Sequence, residues 1–178
     1  METKILAAIS LATPEQLESG LRWYEKANEE CKLIADCTGI ELSIVVGVLA
    51  ALSPRNKWAR NIRDTWDIIA DRNCKVCTFN GQKEKAIKIL DSDGELRTVT
   101  GILKGEKTVN FFMNIFHYDK DNLEPVIDVW GYRLLDLAPT PKNYKVAAKA
   151  YKEVANELGY RVQDLQAVTW GVIRGSLA

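Results

Sequence analysis

The chain has 178 residues, and its 24 Lys and Arg balance 24 Asp and Glu. That neutrality argues against a protein that coats nucleic acid indiscriminately, but not against an enzyme that holds it through a local basic patch. Apolar residues make up 47% and charged residues 27%, which suits one globular domain or two small lobes with a core of their own. No run of about 18 apolar residues exists to cross a membrane.

In chain order, Thr13-Pro14-Glu15 has the form of a capped helix start. Leu17, Leu21, Tyr24, Leu33 and Ile34 then keep helical spacing towards Cys37, and Thr38-Gly39 stops the run. Residues 40–52 are almost continuously apolar and predict a buried central helix ended by Ser53-Pro54. A further helix is predicted over 56–71, with Trp58, Ile62, Trp66 and Ile69 on one face. A basic patch, Arg55, Lys57, Arg60 and Arg63, surrounds Trp58. After a break at 73–80, a short helix is predicted over 81–90 and a turn at 91–94. Residues 96–103 carry β-branched side chains, yet no neighbouring segment offers a sheet for them to join. Gly105 opens a helix through Phe111, Phe112, Ile115 and Phe116. A polar loop over 118–124 leads to Pro125-Val-Ile-Asp128 and a helix over 129–137. Pro139 and Pro141 are expected to break the chain before two last helices, 143–158 and 162–174. A second basic run, Lys142, Lys145, Lys149 and Lys152, lies on the first of these. The predicted class is all-α.

The four cysteines are Cys31, Cys37, Cys74 and Cys77. The first eleven residues show no signal-peptide cleavage site, so a reduced, cytoplasmic setting is expected. Cys74-Lys-Val-Cys77 has the spacing of half a zinc site, but Cys31 and Cys37 are poorly spaced to complete it and His117 is the single histidine. No metal site is expected.

Two segments have the form of a chemical site. In Gly101-Ile-Leu-Lys104-Gly105-Glu-Lys107-Thr108 a glycine-containing turn precedes a helix. The first amides of a helix lack intrahelical acceptors, and with the helix dipole they hold phosphate. Lys107 falls in that first turn. In Val126-Ile127-Asp128-Val-Trp130-Gly-Tyr132-Arg133, Asp128 follows an apolar run at a helix start. Taken singly, Lys107 reads as a surface lysine and Asp128 as an N-cap.

Taken together, they resemble the helix-hairpin-helix DNA glycosylase superfamily, which includes endonuclease III and the oxoguanine and adenine glycosylases. Its pattern is a glycine hairpin, Gly-x-Lys at a helix start, and then a hydrophobic-Val-Asp segment ending in Arg. Gly105-Glu106-Lys107 and Val126 through Arg133 match both parts in order. More loosely, Glu41 to Ser53 is similar to the buried helix before the family's DNA-facing loop. Gly81 to Ala86 is similar to the helix before the hairpin, and Gln166 to Gly175 to the last helix. Leu103 stands where the hairpin's first glycine would be, and Gly101 is expected to compensate through a longer turn. No four-cysteine run follows the last helix, so no iron–sulfur cluster and no other cofactor is expected.

The resemblance implies an all-α helix-hairpin-helix glycosylase fold of two small helical lobes with a cleft between them. It implies a monomer acting on a flipped nucleotide in double-stranded DNA. Lys107 would be the nucleophile and Asp128 its activator and the stabiliser of positive charge on the sugar. Ser53, Arg55, Asn56, Lys57, Arg60, Gly101, Lys104, Gly105 and Thr108 would face DNA. Trp58, Trp130, Tyr132 and Trp170 are the candidates for stacking on the extruded base. Two alternatives stay open. Compact phage proteins resembling this superfamily are linked to thymine hypermodification, in which an amine displaces pyrophosphate from an activated hydroxymethyluracil; such a protein would work in the bacterial host cell. A bare hairpin, by contrast, binds phosphate without chemistry.

Overall fold

The computed structural model describes residues 1–175 and is helical throughout, with no strand among them. The chain forms two compact units, and the divisions fall after Glu25 and after Phe116.

The first unit contains residues 1–25 and 117–175. Its helices are α1 (Glu2–Ser10), α2 (Pro14–Leu21), α9 (Val129–Leu134), α10 (Pro141–Leu158) and α11 (Val162–Arg174). The start of α2 follows from Thr13, whose hydroxyl accepts from the Gln16 amide at 3.2 Å while the Gln16 side chain accepts from the Thr13 amide at 3.0 Å, a reciprocal capping box. Thr140 caps α10 through its hydroxyl alone, which accepts from the Asn143 amide at 3.1 Å. Pro141 therefore does not break the chain as expected. It occupies the first helical position, where its missing N–H costs nothing. Ile5, Ile127, Leu135, Tyr151, Val154 and Leu165 form the centre of this unit's core. Gly20 lets α2 meet α11, since a Cβ there would stand 2.6 Å from the Val168 Cα. α2 ends one residue after this approach, and the chain restarts after Arg22 as α3 (Trp23–Thr38). The sequence had suggested one continuous helix from Pro14 to Cys37.

The second unit contains residues 26–116 among those described. It holds most of α3, with α4 (Leu42–Leu52), α5 (Trp58–Ala70), α6 (Asn80–Leu90), α7 (Leu96–Leu103) and α8 (Glu106–Phe116). The apolar run becomes α4, and Val45 through Leu52 are all buried, as a helix packed on every side requires. Helices α5, α6, α7 and α8 pack around it. The strand-like segment is α7. Its Val99 and Leu103, one turn apart, are fully buried, so packing against α4 overrides the weak helix propensity of its Thr and Val residues.

No helix among the described residues is long and apolar enough to cross a membrane.

Candidate functional site

In the second unit, α7 and α8 are joined by Lys104 and Gly105 alone. Lys104 has φ +63° and ψ −53°, and the Gly105 amide donates to the Leu103 carbonyl at 2.9 Å. This is a γ-turn of the strained hand, carried by a residue with a Cβ. Lys85 of α6 donates from its ammonium to the same Leu103 carbonyl at 3.0 Å, so that oxygen receives two donors at the tip of the hairpin. The expected longer turn through Gly101 is not formed. Gly101 lies inside α7, exposed, with nothing within 4 Å of a Cβ added there; Lys104 makes the turn instead. Lys104, Gly105, Glu106 and Lys107 are exposed, and Thr108 is half-buried.

The same unit carries the basic loop between α4 and α5. Arg55 takes a left-handed conformation, φ +58°, and its guanidinium lies over the Phe79 ring at 5.1 Å. Arg55 and Lys57 are exposed. The other candidates here make bonds within the protein, and of them Arg60 stays exposed. The Ser53 hydroxyl donates to the Ala50 carbonyl at 2.9 Å. The Asn56 amide donates to Asp64 at 2.9 Å and the Arg60 Nε donates to Asp64 at 2.6 Å. Asp64 is fully buried, and its bond to Arg60 pushes the guanidinium's pKa up. Asp64 also accepts from the backbone amide of Cys77 at 2.7 Å. Nothing in the sequence pattern singled it out, because an acid one turn after an arginine on a helix reads as an ordinary surface pair.

In the first unit, Asp128 caps α9. Its Oδ1 accepts from the amides of Trp130 at 2.9 Å and Gly131 at 3.1 Å. The residue is 7% exposed, and its Oδ2 makes no hydrogen bond among the described residues. The cap thus uses one oxygen and leaves the other for another partner. Beneath it lies Tyr151, whose hydroxyl shares a 3.0 Å hydrogen bond with Thr169. Burial pushes the Tyr151 phenol well above its ordinary pKa, and the charge of Asp128 adds to that, so the ring stays neutral beside the carboxylate.

The four aromatic candidates have four settings. Tyr132 is in the core of the first unit. Trp130 is half-buried with the Arg133 guanidinium 4.8 Å over its ring. Trp170 is half-buried between the edge of Trp23, at 5.8 Å, and the Arg174 guanidinium, at 5.2 Å. Trp58 belongs to the second unit and donates its indole N–H to Glu30 at 3.3 Å. A hollow of about 410 Å³ in the first unit is lined by Asp121, Lys152, Asn156, Tyr160 and Arg161 among others; none of the four aromatics borders it, and neither does Asp128.

The cysteines make no metal cluster: no group of three or more His, Cys, Asp or Glu among the described residues is placed to hold an ion.

A family model described as a family of unknown function (DUF7178) matches residues 1–177. No curated protein and no solved structure matches the chain.

Proposed function

We propose that this chain, which belongs to the DUF7178 family of unknown function, is a helix-hairpin-helix DNA glycosylase. In this reading, it cleaves the N-glycosidic bond of a nucleotide flipped out of DNA. The Lys107 amine attacks C1′, and the C1′–N bond breaks with its electron pair leaving on the base. The sugar ring then opens to a Schiff base on the lysine. The Asp128 carboxylate stabilises the positive charge that develops on the sugar. The exposed hairpin of Lys104 and Gly105 holds a backbone phosphate at the start of α8.

The observation that carries the reading is the Asp128 carboxylate, buried yet only half used. A residue kept merely as a cap has no need of a second carboxylate oxygen, since Ser, Thr or Asn caps as well. A carboxylate whose Oδ1 is fixed by two backbone amides is a preorganised partner for a cation through its other oxygen.

The test is incubation with a panel of modified-base oligonucleotides, read by mass spectrometry with and without borohydride. The expected result is a free base together with a reduced protein–DNA adduct on one substrate. Lys107→Gln is expected to abolish trapping while DNA binding persists. Asp128→Asn is expected to slow cleavage at least a hundredfold, of the order of losing one charge-stabilising group, while costing only a few tenths of a kcal/mol of stability, because Asn caps nearly as well as Asp. Full activity in both variants would refute the assignment. Intact DNA carrying a heavier base would instead mark a base-modifying transferase.

A further inference from the structure

Asp64 is fully buried in the middle of α5, and its hydrogen bonds go mostly to other parts of the chain. Oδ1 takes the Arg60 Nε at 2.6 Å. Oδ2 takes two loop groups: the Asn56 side-chain amide at 2.9 Å and the Cys77 backbone amide at 2.7 Å. Asn56 reaches on to the Leu52 carbonyl at 3.3 Å, the last residue of α4. A second tie joins the same two loops, from the Thr78 hydroxyl to the Pro54 carbonyl at 2.9 Å. Between these ties stands Arg55, in its left-handed conformation and stacked over Phe79, with exposed Lys57 next to the start of α5.

A buried carboxylate is poor evidence of stability, because its desolvation offsets the attraction of its partners and an apolar residue of similar volume serves the core at least as well. Its best-attested use is to specify one arrangement over others. Here the arrangement specified is that of two loops, and the exposed groups those loops present are cations and an aromatic ring. The bonds of Asn56 turn its side-chain nitrogen inwards, whereas Arg60, bonded through Nε, stays exposed.

We propose that Asp64 is a positioning residue for DNA: its carboxylate holds the loop of residues 53–57 in the conformation from which Arg55 and Lys57 contact backbone phosphate. This rests on the DNA-binding part of the reading above and not on Lys107 or Asp128. Asp64 itself touches no nucleic acid. Its effect passes through Asn56 and the Cys77 amide.

The experiment measures the Kd of the full chain for a fluorescent duplex oligonucleotide at several salt concentrations, with melting temperatures in parallel. The variants are Asp64→Asn, Asn56→Ala, Arg55→Ala and the two doubles with Arg55→Ala. Asn56→Ala keeps the Asp64–Arg60 pair and the Cys77 amide bond and removes the Asn56 bonds to Asp64 and Leu52, so it decides the matter if Asp64→Asn does not fold. The expected result is a Kd raised about tenfold in Asn56→Ala and Asp64→Asn, with a shallower salt dependence as a phosphate contact is lost. Arg55→Ala should add little on top of either, because residues coupled through one loop are non-additive. A purely structural role would move the melting temperature and leave the losses additive. Folded variants that bind like the parent, or that lose affinity additively, would overturn the proposal alone. A parent chain that binds no duplex at any salt concentration would overturn the DNA reading and this inference with it.

Discussion

Replacing Lys104 with glycine sets stability against binding. Lys104 holds φ +63° and ψ −53° in a γ-turn closed by the 2.9 Å bond from the Gly105 amide to the Leu103 carbonyl. A residue with a Cβ in such a conformation stores about 1–3 kcal/mol, which glycine does not. Against this, glycine gives the unfolded chain more freedom, a loss of about 0.4–1 kcal/mol. The backbone bond from the Lys104 amide to the Thr100 carbonyl, at 3.0 Å, survives the change. The net expectation is a gain of about 1 kcal/mol, which raises the melting temperature of a chain of this size by about 2–4 °C. The Lys104 ammonium makes no hydrogen bond or ion pair among the described residues, so no native contact is lost. If the hairpin holds a phosphate, Lys104→Gly should also weaken duplex binding and lower the slope of log K against log salt by about 0.9, one released counterion. Calorimetry and a salt series on the same preparation read both effects. A lower melting temperature would refute the strain. An unchanged salt slope would remove Lys104 from the DNA contact.

Burial is the main force that raises the Asp164 carboxyl above its ordinary value of 3.8, while its bond and charge interaction with Arg161 pull it back. The folded chain therefore holds this proton more tightly than the unfolded one, and Asp164's contribution to stability falls as pH rises from near 3.8 to the raised folded value, then levels off. Melting curves across that range should show Asp164→Asn gaining on the parent as pH rises; parallel curves would contradict the shift. Among the thiols, Cys37 and Cys77 are exposed, whereas Cys31 is buried and its thiol is pushed up to about 12. Iodoacetamide at neutral pH should label Cys37 and Cys77 in the native chain and reach Cys31 only after denaturation, as peptide mass spectrometry would show; early labelling of Cys31 would mean that its surroundings open readily.

Most helices were legible because burial and spacing agreed. The apolar run at 42–52 has no polar side to present, so a buried helix was its natural outcome, and Val162 to Arg174 is bounded as the pattern suggested. The misread places share a cause: the local signal was real but a neighbour decided its meaning. Pro141 alone reads as a break, and it starts a helix because Thr140 acts as its cap. The division at Arg22 lies beside the approach of α2 to Val168, and such long-range packing leaves no periodicity to read.

The candidate site was legible to different depths. Asp128 at a helix start was readable, and the structure adds which oxygen caps and which does not. The basic loop was read as five polar side chains facing outwards, yet its residues divide. Arg55 and Lys57 are exposed; Ser53 and Asn56 are half-buried and bonded within the protein, and Arg60 is exposed yet bonded to Asp64. The division turns on Asp64, which is eight residues from Asn56 and thirteen from Cys77. A surface acid and a fully buried one look identical in a sequence. Only the burial converts Asp64 from a partner of Arg60 into an anchor for two loops, because a carboxylate taken out of water needs donors and takes them wherever the chain brings them. Asp128 is arranged differently: its Oδ1 takes two backbone amides and its Oδ2 none among the described residues. The arrangement around Asp64 is complete without a ligand; that around Asp128 leaves one oxygen for the sugar cation of the proposed reaction.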